Sequence, residues 1–132
     1  MKEYSLGYVL ARIVIGVSMF GHGLVRLPKL EGFKNFMVQN FENSMVPEFL
    51  VTPFSYALPI LEFIVGILLI LGLFTKQALV TGAILMIMLV FGSTMIENWG
   101  IIDSQLMHAF IFIGLLLGIN YNYWSLDTKL KK

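Results

Sequence analysis

Residues 54–96 read FSYALPILEFIVGILLILGLFTKQALVTGAILMIMLVFGSTMI and carry two charged side chains, Glu62 and Lys76. Lys76 and Gln77 divide the stretch into two apolar runs, 54–74 and 78–96. Each is close to the roughly 20 residues that an α-helix needs to cross the hydrocarbon core of a bilayer. A lipid-exposed segment must satisfy its own backbone hydrogen bonds, so both runs are predicted to be helices. The very short link makes them an antiparallel hairpin.

Working outward, two more apolar runs appear. Residues 6–27 are interrupted by Arg12, Ser18, His22 and Arg26. Residues 103–121 contain His108, with Asp103 as the expected N-cap and Tyr121, Tyr123 and Trp124 as an interfacial aromatic belt. The expectation is an all-α, polytopic four-helix membrane bundle, forming one transmembrane domain over residues 1–132. The first segment is expected to be retained, since no small-residue cleavage site follows it. The linker 28–53 has apolar residues at Leu30, Phe33, Met37, Phe41 and Met45, interleaved with Lys29, Glu31, Lys34, Glu42 and Glu48. This spacing predicts an amphipathic helix over about 29–46, lying in the interface or capping the bundle.

Composition agrees with the pattern. Of the 132 residues, 58% are hydrophobic and 13% charged, with a mean hydropathy of +0.83. Soluble domains are typically about 45–50% apolar and about 25% charged, and a short chain buries the smallest fraction of its surface. A soluble globular enzyme and a disordered tail are excluded. A net charge of +1 provides no field for nucleic acid. The absence of cysteine removes thiolate chemistry and iron–sulfur ligation.

Orientation follows from the basic residues. Four spans put Lys2, Lys76, Lys129, Lys131 and Lys132 on one side and Arg26, Lys29 and Lys34 on the other. The positive-inside bias then places both termini in the cytoplasm.

The few ionisable groups inside the spans nominate a site, because each costs about 2.5–3.5 kcal/mol at mid-helix on insertion scales. Counted from the helix ends, His22, Glu62 and His108 lie at similar depth in the outer half. Arg12 lies in the inner half, roughly 9 Å lower than Glu62 at 1.5 Å per residue. On the structural reading Glu62 pairs with a histidine or with Arg12, which would have to stretch upward or sit on a tilted helix. Histidines beside a carboxylate can relay protons. A pair of histidines could also ligate haem, a reading that only their matched depth favours, and no three-ligand metal spacing is present. Gly114 and Gly118 form a GxxxG pair suited to packing, including a homodimer face. The competing expectation for Arg12, Glu62 and the histidines is a structural interhelical lock.

The run Leu10-Ala11-Arg12-Ile13-Val14-Ile15-Gly16, then His22-Gly23 and Lys29-Leu30, resembles the opening of the DoxX family of small bacterial membrane proteins. Gly32-Phe33 and Val46-Pro47 in the first linker, Pro59-Ile60-Leu61-Glu62 through Gly66 to Gly72-Leu73-Phe74-Thr75, and the closing Tyr121-Asn122-Tyr123-Trp124-Ser125-Leu126-Asp127 also fit. The resemblance implies a four-helix inner-membrane bundle, with members similar to the quinone-reducing component of thiosulfate:quinone oxidoreductase. It implies a quinone as cofactor or substrate, an oxidoreductase partner subunit, and Arg12, His22, Glu62 and His108 as the polar positions. On this reading His22 and His108 contact the quinone carbonyls, Glu62 moves protons, and Arg12 orients Glu62. The alternative is a non-catalytic anchor or assembly partner.

Overall fold

The computed structural model describes residues 2–130. Lys131 and Lys132, which the orientation argument uses, lie outside the described residues. Six α-helices follow in order: α1 Lys2–Arg26, α2 Leu30–Asn40, α3 Glu48–Leu71, α4 Thr75–Met95, α5 Trp99–Leu117 and α6 Leu126–Leu130, with 3-10 turns at Leu27–Lys29 and Ile119–Tyr121. Four of these helices, α1, α3, α4 and α5, are long and apolar enough to cross a membrane. The chain is a helical bundle, as its apolar runs require.

The spans pack as two intimate pairs, α1 with α3 and α4 with α5; α3 meets α4, and α1 meets α5, more sparsely. Glycine sets the first pair. A Cβ on Gly23 would lie 2.5 Å from the Phe63 amide nitrogen, and one on Gly66 would collide with the Phe20 backbone. Small residues at such crossings let helix backbones approach closely where lipid supplies no hydrophobic drive. In the second pair Phe112, fully buried, lays its ring on Gly82. Gly118 packs against Tyr8, whereas the position of a Gly114 Cβ is open. The helix glycines at close crossings are therefore Gly16, Gly23, Gly66 and Gly82; Gly118 makes only ordinary contact with Tyr8 and Gly114 none.

Several expected boundaries move. The α3–α4 link is Gly72-Leu73-Phe74, and Lys76 and Gln77 belong to the first turn of α4. The reason is a Schellman closure: Gly72 is left-handed with φ 71°, and the Leu73 amide donates to the Leu68 carbonyl at 2.9 Å, which stops α3 early. The same device ends α4. Glu97 is left-handed at φ 55°, with Glu97 N–H to Thr94 and Asn98 N–H to Ser93 at 3.0 and 2.9 Å. The next helix starts at once, so Asp103 lies inside α5 and is not its N-cap. Helix α3 begins at Glu48 rather than 54, since the extended Pro47 is its N-cap.

The amphipathic helix forms but ends at Asn40 rather than near 46. Phe41 leaves the helix to bury its ring against Gly92 of α4, and Ser44 ties the turn through the Phe41 carbonyl at 2.9 Å. Helix α2 packs on α3 and caps one end of the bundle. An external tether assists: Tyr56 donates to Glu31 at 2.6 Å. This bond and neighbouring Lys34 hold the exposed Glu31 carboxyl below its ordinary range.

Candidate functional site

Two polar clusters sit at opposite ends of the bundle. At the end away from α2, Arg12 is buried. Its Nε donates to the Leu69 carbonyl at 2.8 Å and its Nη1 to Asn122 Oδ1 at 2.7 Å. Asn122 donates onward to the Thr75 hydroxyl at 3.2 Å. Asp127 accepts from the Phe74 and Thr75 amides at 2.7 and 2.8 Å, capping the start of α4 where the helix dipole favours a negative charge. These bonds also hold Phe74 in a left-handed conformation, φ 48°, which non-glycine residues seldom adopt. Tyr8 completes the cluster by donating to the Leu115 carbonyl at 2.6 Å.

At the α2 end, one face of α1 presents Ser18, His22 and Arg26 at four-residue intervals, which the helical repeat aligns. Arg26 Nη1 donates to Glu62 Oε1 of α3 at 3.1 Å, and its guanidinium lies 4.6 Å from the centre of the Phe33 ring on α2, within cation–π range. His22 and His108 meet edge to face with ring centroids 6.1 Å apart. Each ring binds the carbonyl four residues back: His22 Nδ1 to Ser18 at 2.7 Å, His108 Nδ1 to Ser104 at 2.8 Å. A carbonyl only accepts, so both rings carry a proton on Nδ1. In neutral His108, Nε2 then accepts from the Ser18 hydroxyl at 2.8 Å. Nε2 of His22 makes no hydrogen bond with the described residues.

These groups border one cavity of about 920 Å³. Its polar lining includes His22, Arg26, Glu62, Ser104, Gln105 and His108. The rest is largely apolar: Phe33, Phe36 and Met37 of α2 roof it, Leu50, Phe54 and Leu58 of α3 and Met86, Met88 and Phe91 of α4 wall it. Ser93 of α4 closes a polar link to α5 through Gln105 at 3.0 Å.

The sequence-nominated residues therefore divide. His22, Glu62 and His108, from three different helices, border one chamber. Arg12 does not line it: its Nε and Nη1 donate to Leu69 and Asn122 at the other end, so the carboxylate it was expected to orient has Arg26 as its cation instead. Arg26 and Ser18 are the site residues that depth counting passed over. The signal was available in the four-residue spacing of Ser18, His22 and Arg26. Among the described residues no group of three or more His, Asp or Glu side chains is placed to hold a metal ion.

Four helices long and apolar enough to cross a membrane define a multi-pass helical membrane protein. Residues 7–96 match the DoxX family, and the chain belongs to it. The match covers α2, α3, α4 and all of α1 after Leu6; α5, His108 and the closing 121–127 motif lie beyond it. The chain is also similar to "Putative oxidoreductase CatD" of Bacillus subtilis (strain 168), with 31% identity over 75 residues, 57% of this chain and 50% of that protein. The chain thus matches about half the length of this curated relative. No solved structure matches.

Proposed function

We propose that this DoxX protein is a quinone-interacting subunit of a membrane oxidoreductase system, residing in the bacterial inner membrane with both termini in the cytoplasm. One observation carries the reading: a largely apolar chamber of about 920 Å³ gathers a carboxylate, a guanidinium and two imidazoles from three spans. Ligand pockets are typically about 300–1,000 Å³, mostly apolar, with a few convergent polar groups. A quinone head group is flat and apolar with two carbonyl acceptors, and it suits such a chamber. When bound, it supplies two-electron, two-proton redox capacity.

The chain's own residues bind and move protons. Arg26 has N–H groups beyond the one given to Glu62 and can donate to a carbonyl. His22 Nε2 can exchange a proton with a ligand oxygen, and His108 can do so once Ser18 rotates away. Glu62 is a proton store held beside them by Arg26. The chain has no cysteine, so thiol redox chemistry is not available, and the electron donor is assigned to a partner protein. The Bacillus relative bears the name "Putative oxidoreductase CatD", which supports the same direction. The orientation rests on Lys2, Lys76 and Lys129 sharing the Arg12 end.

The test is titration of the purified protein in lipid nanodiscs with a tail-less naphthoquinone. Saturable binding that weakens at least about tenfold in Glu62→Gln or His22→Gln, near 1.4 kcal/mol, is expected. Absence of saturable binding to the unmodified protein overturns the proposal. The lock reading is favoured by a specific observation at the Arg12 end, where Arg12 is buried away from the cavity and donates to Leu69 and Asn122.

A further inference from the structure

The cavity is chemically two-sided, and its two sides face different ways across the bundle. Most polar groups come from α1, from α5 and from Glu62, with Ser93 of α4 turned to Gln105 and Asn40 and Asn98 at the α2 end. The opposite wall, from Leu50 on α3 to Met88 and Phe91 on α4, is apolar. Those three side chains line the cavity and are also 54%, 46% and 58% exposed on the outside of the chain. A residue that both lines a cavity and faces outward lies at a mouth, and Phe36 of α2 and Ile87 of α4 extend this apolar rim. Helices α3 and α4 are tied at the Gly72-Leu73-Phe74 turn, yet they touch less than the α1–α3 and α4–α5 pairs do; α1 and α5 touch less still, but the lining there includes the exposed His22 and is polar. Towards the α2 end, Phe41 packs against Gly92 of α4, next to Phe91. Met88 and Phe91 lie four to seven residues from the Met95 end of α4, so the mouth opens roughly 6–10 Å along the helix, among the lipid tails.

We infer that the cavity's ligand is a head-and-tail amphiphile, an isoprenoid-tailed quinone, that enters sideways from the bilayer between α3 and α4. Its head group lies against His22, Arg26 and Glu62, and its tail stays in the mouth at Leu50, Met88 and Phe91. An apolar mouth at that depth admits a molecule already dissolved in the membrane and offers a hydrated solute no hydrogen bonds on the way in. The tail adds apolar contact without new polar groups, so the mouth discriminates by tail and the far wall by head. The inference rests on the quinone reading above for the head group and adds the route and the tail.

The cysteine-free sequence permits a reversible test. Met88→Cys, at an exposed position, is conjugated through a disulfide to a bulky thiosulfonate reagent in nanodiscs. Loading of a tailed menaquinone analogue and of a tail-less naphthoquinone is then timed by stopped flow. Val80→Cys, exposed on α4 nearer the other end, is the control. The label at Met88 is expected to slow the tailed analogue at least about tenfold in association rate and leave the tail-less one unchanged. Cleaving the label and removing the reductant restores the rate, which excludes misfolding. If both analogues bind and neither is slowed, or both are slowed alike, the portal is overturned and the quinone reading stands. If neither analogue binds the unlabelled protein, both readings fall.

Discussion

Arg26 on α1 and Glu62 on α3 form an ion pair at 3.1 Å in which the two side chains are 31% and 4% exposed. The asymmetry decides how the pair responds to substitution. Glu62 depends on Arg26 for compensation, whereas Arg26 retains access to the cavity and to the Phe33 ring. Removing one partner of a buried pair costs about 3–5 kcal/mol because a charge is left alone. Arg26→Met is therefore expected to destabilise more than Glu62→Gln, by about 3 kcal/mol, and Arg26→Met/Glu62→Gln to recover part of the loss. Thermal unfolding of all three in detergent checks the order; equal losses in the two single variants would contradict it.

The α1–α3 crossing is set by glycine and leaves little freedom. Gly66→Ala drives a methyl into the Phe20 backbone, and neither helix can yield locally. Overpacking of this kind costs about 1–3 kcal/mol, and Gly23→Ala should behave alike. Gly114→Ala meets nothing within 4 Å and should leave monomer stability unchanged. If Gly114 lies on a face between two copies, Gly114→Leu will instead shift the oligomer distribution in analytical ultracentrifugation.

Arg12 separates structure from ligand handling. Arg12→Met strands the Leu69 carbonyl and Asn122 Oδ1, and each buried unsatisfied group costs about 1–3 kcal/mol. The expected result is a melting temperature lowered as much as in any cavity variant, with naphthoquinone affinity retained in the folded fraction. A loss of affinity equal to that of Glu62→Gln would place Arg12 in the ligand site after all.

The tether from α2 to α3 should respond to acid. Glu31 is held below its ordinary value of 4.5 by the Tyr56 hydroxyl and Lys34. A depressed carboxylate contributes its stabilisation above that ordinary value, and the contribution is lost as pH falls through the lowered one. Hydrogen exchange of the α2 amides, corrected for intrinsic rates, should therefore rise below about pH 4.5. Tyr56→Phe should weaken this dependence. An unchanged profile would show that the tether does not hold α2.

The spans were legible in the sequence because a bilayer-facing helix must be apolar along most of its length, and runs such as 78–96 have no other use. Helix ends were less legible. Asp103 looked like an N-cap by composition, but the Glu97 turn, which depends on a left-handed non-glycine residue, had already started α5. The site was half legible. Depth counting aligns His22, Glu62 and His108 because helical rise is nearly constant. It says nothing of azimuth, which is why Arg26 was passed over as the partner of Glu62; the inner-half depth of Arg12 was read correctly, but its link to Glu62 was not. The Phe41 anchor was invisible for a similar reason: it depends on a contact with Gly92 across the bundle.

The contacts of Asp127 bear on the order in which the protein is made. Its amide donates to the Gly72 carbonyl at 2.9 Å, and its carboxylate caps the amides that begin α4. The Phe74 turn of the α3–α4 hairpin is synthesised 53 residues before that cap. Until then the left-handed Phe74 turn stands without its anion. The hairpin must therefore enter the membrane on hydrophobicity alone, and the closing segment acts afterwards as a latch that fastens helices already inserted.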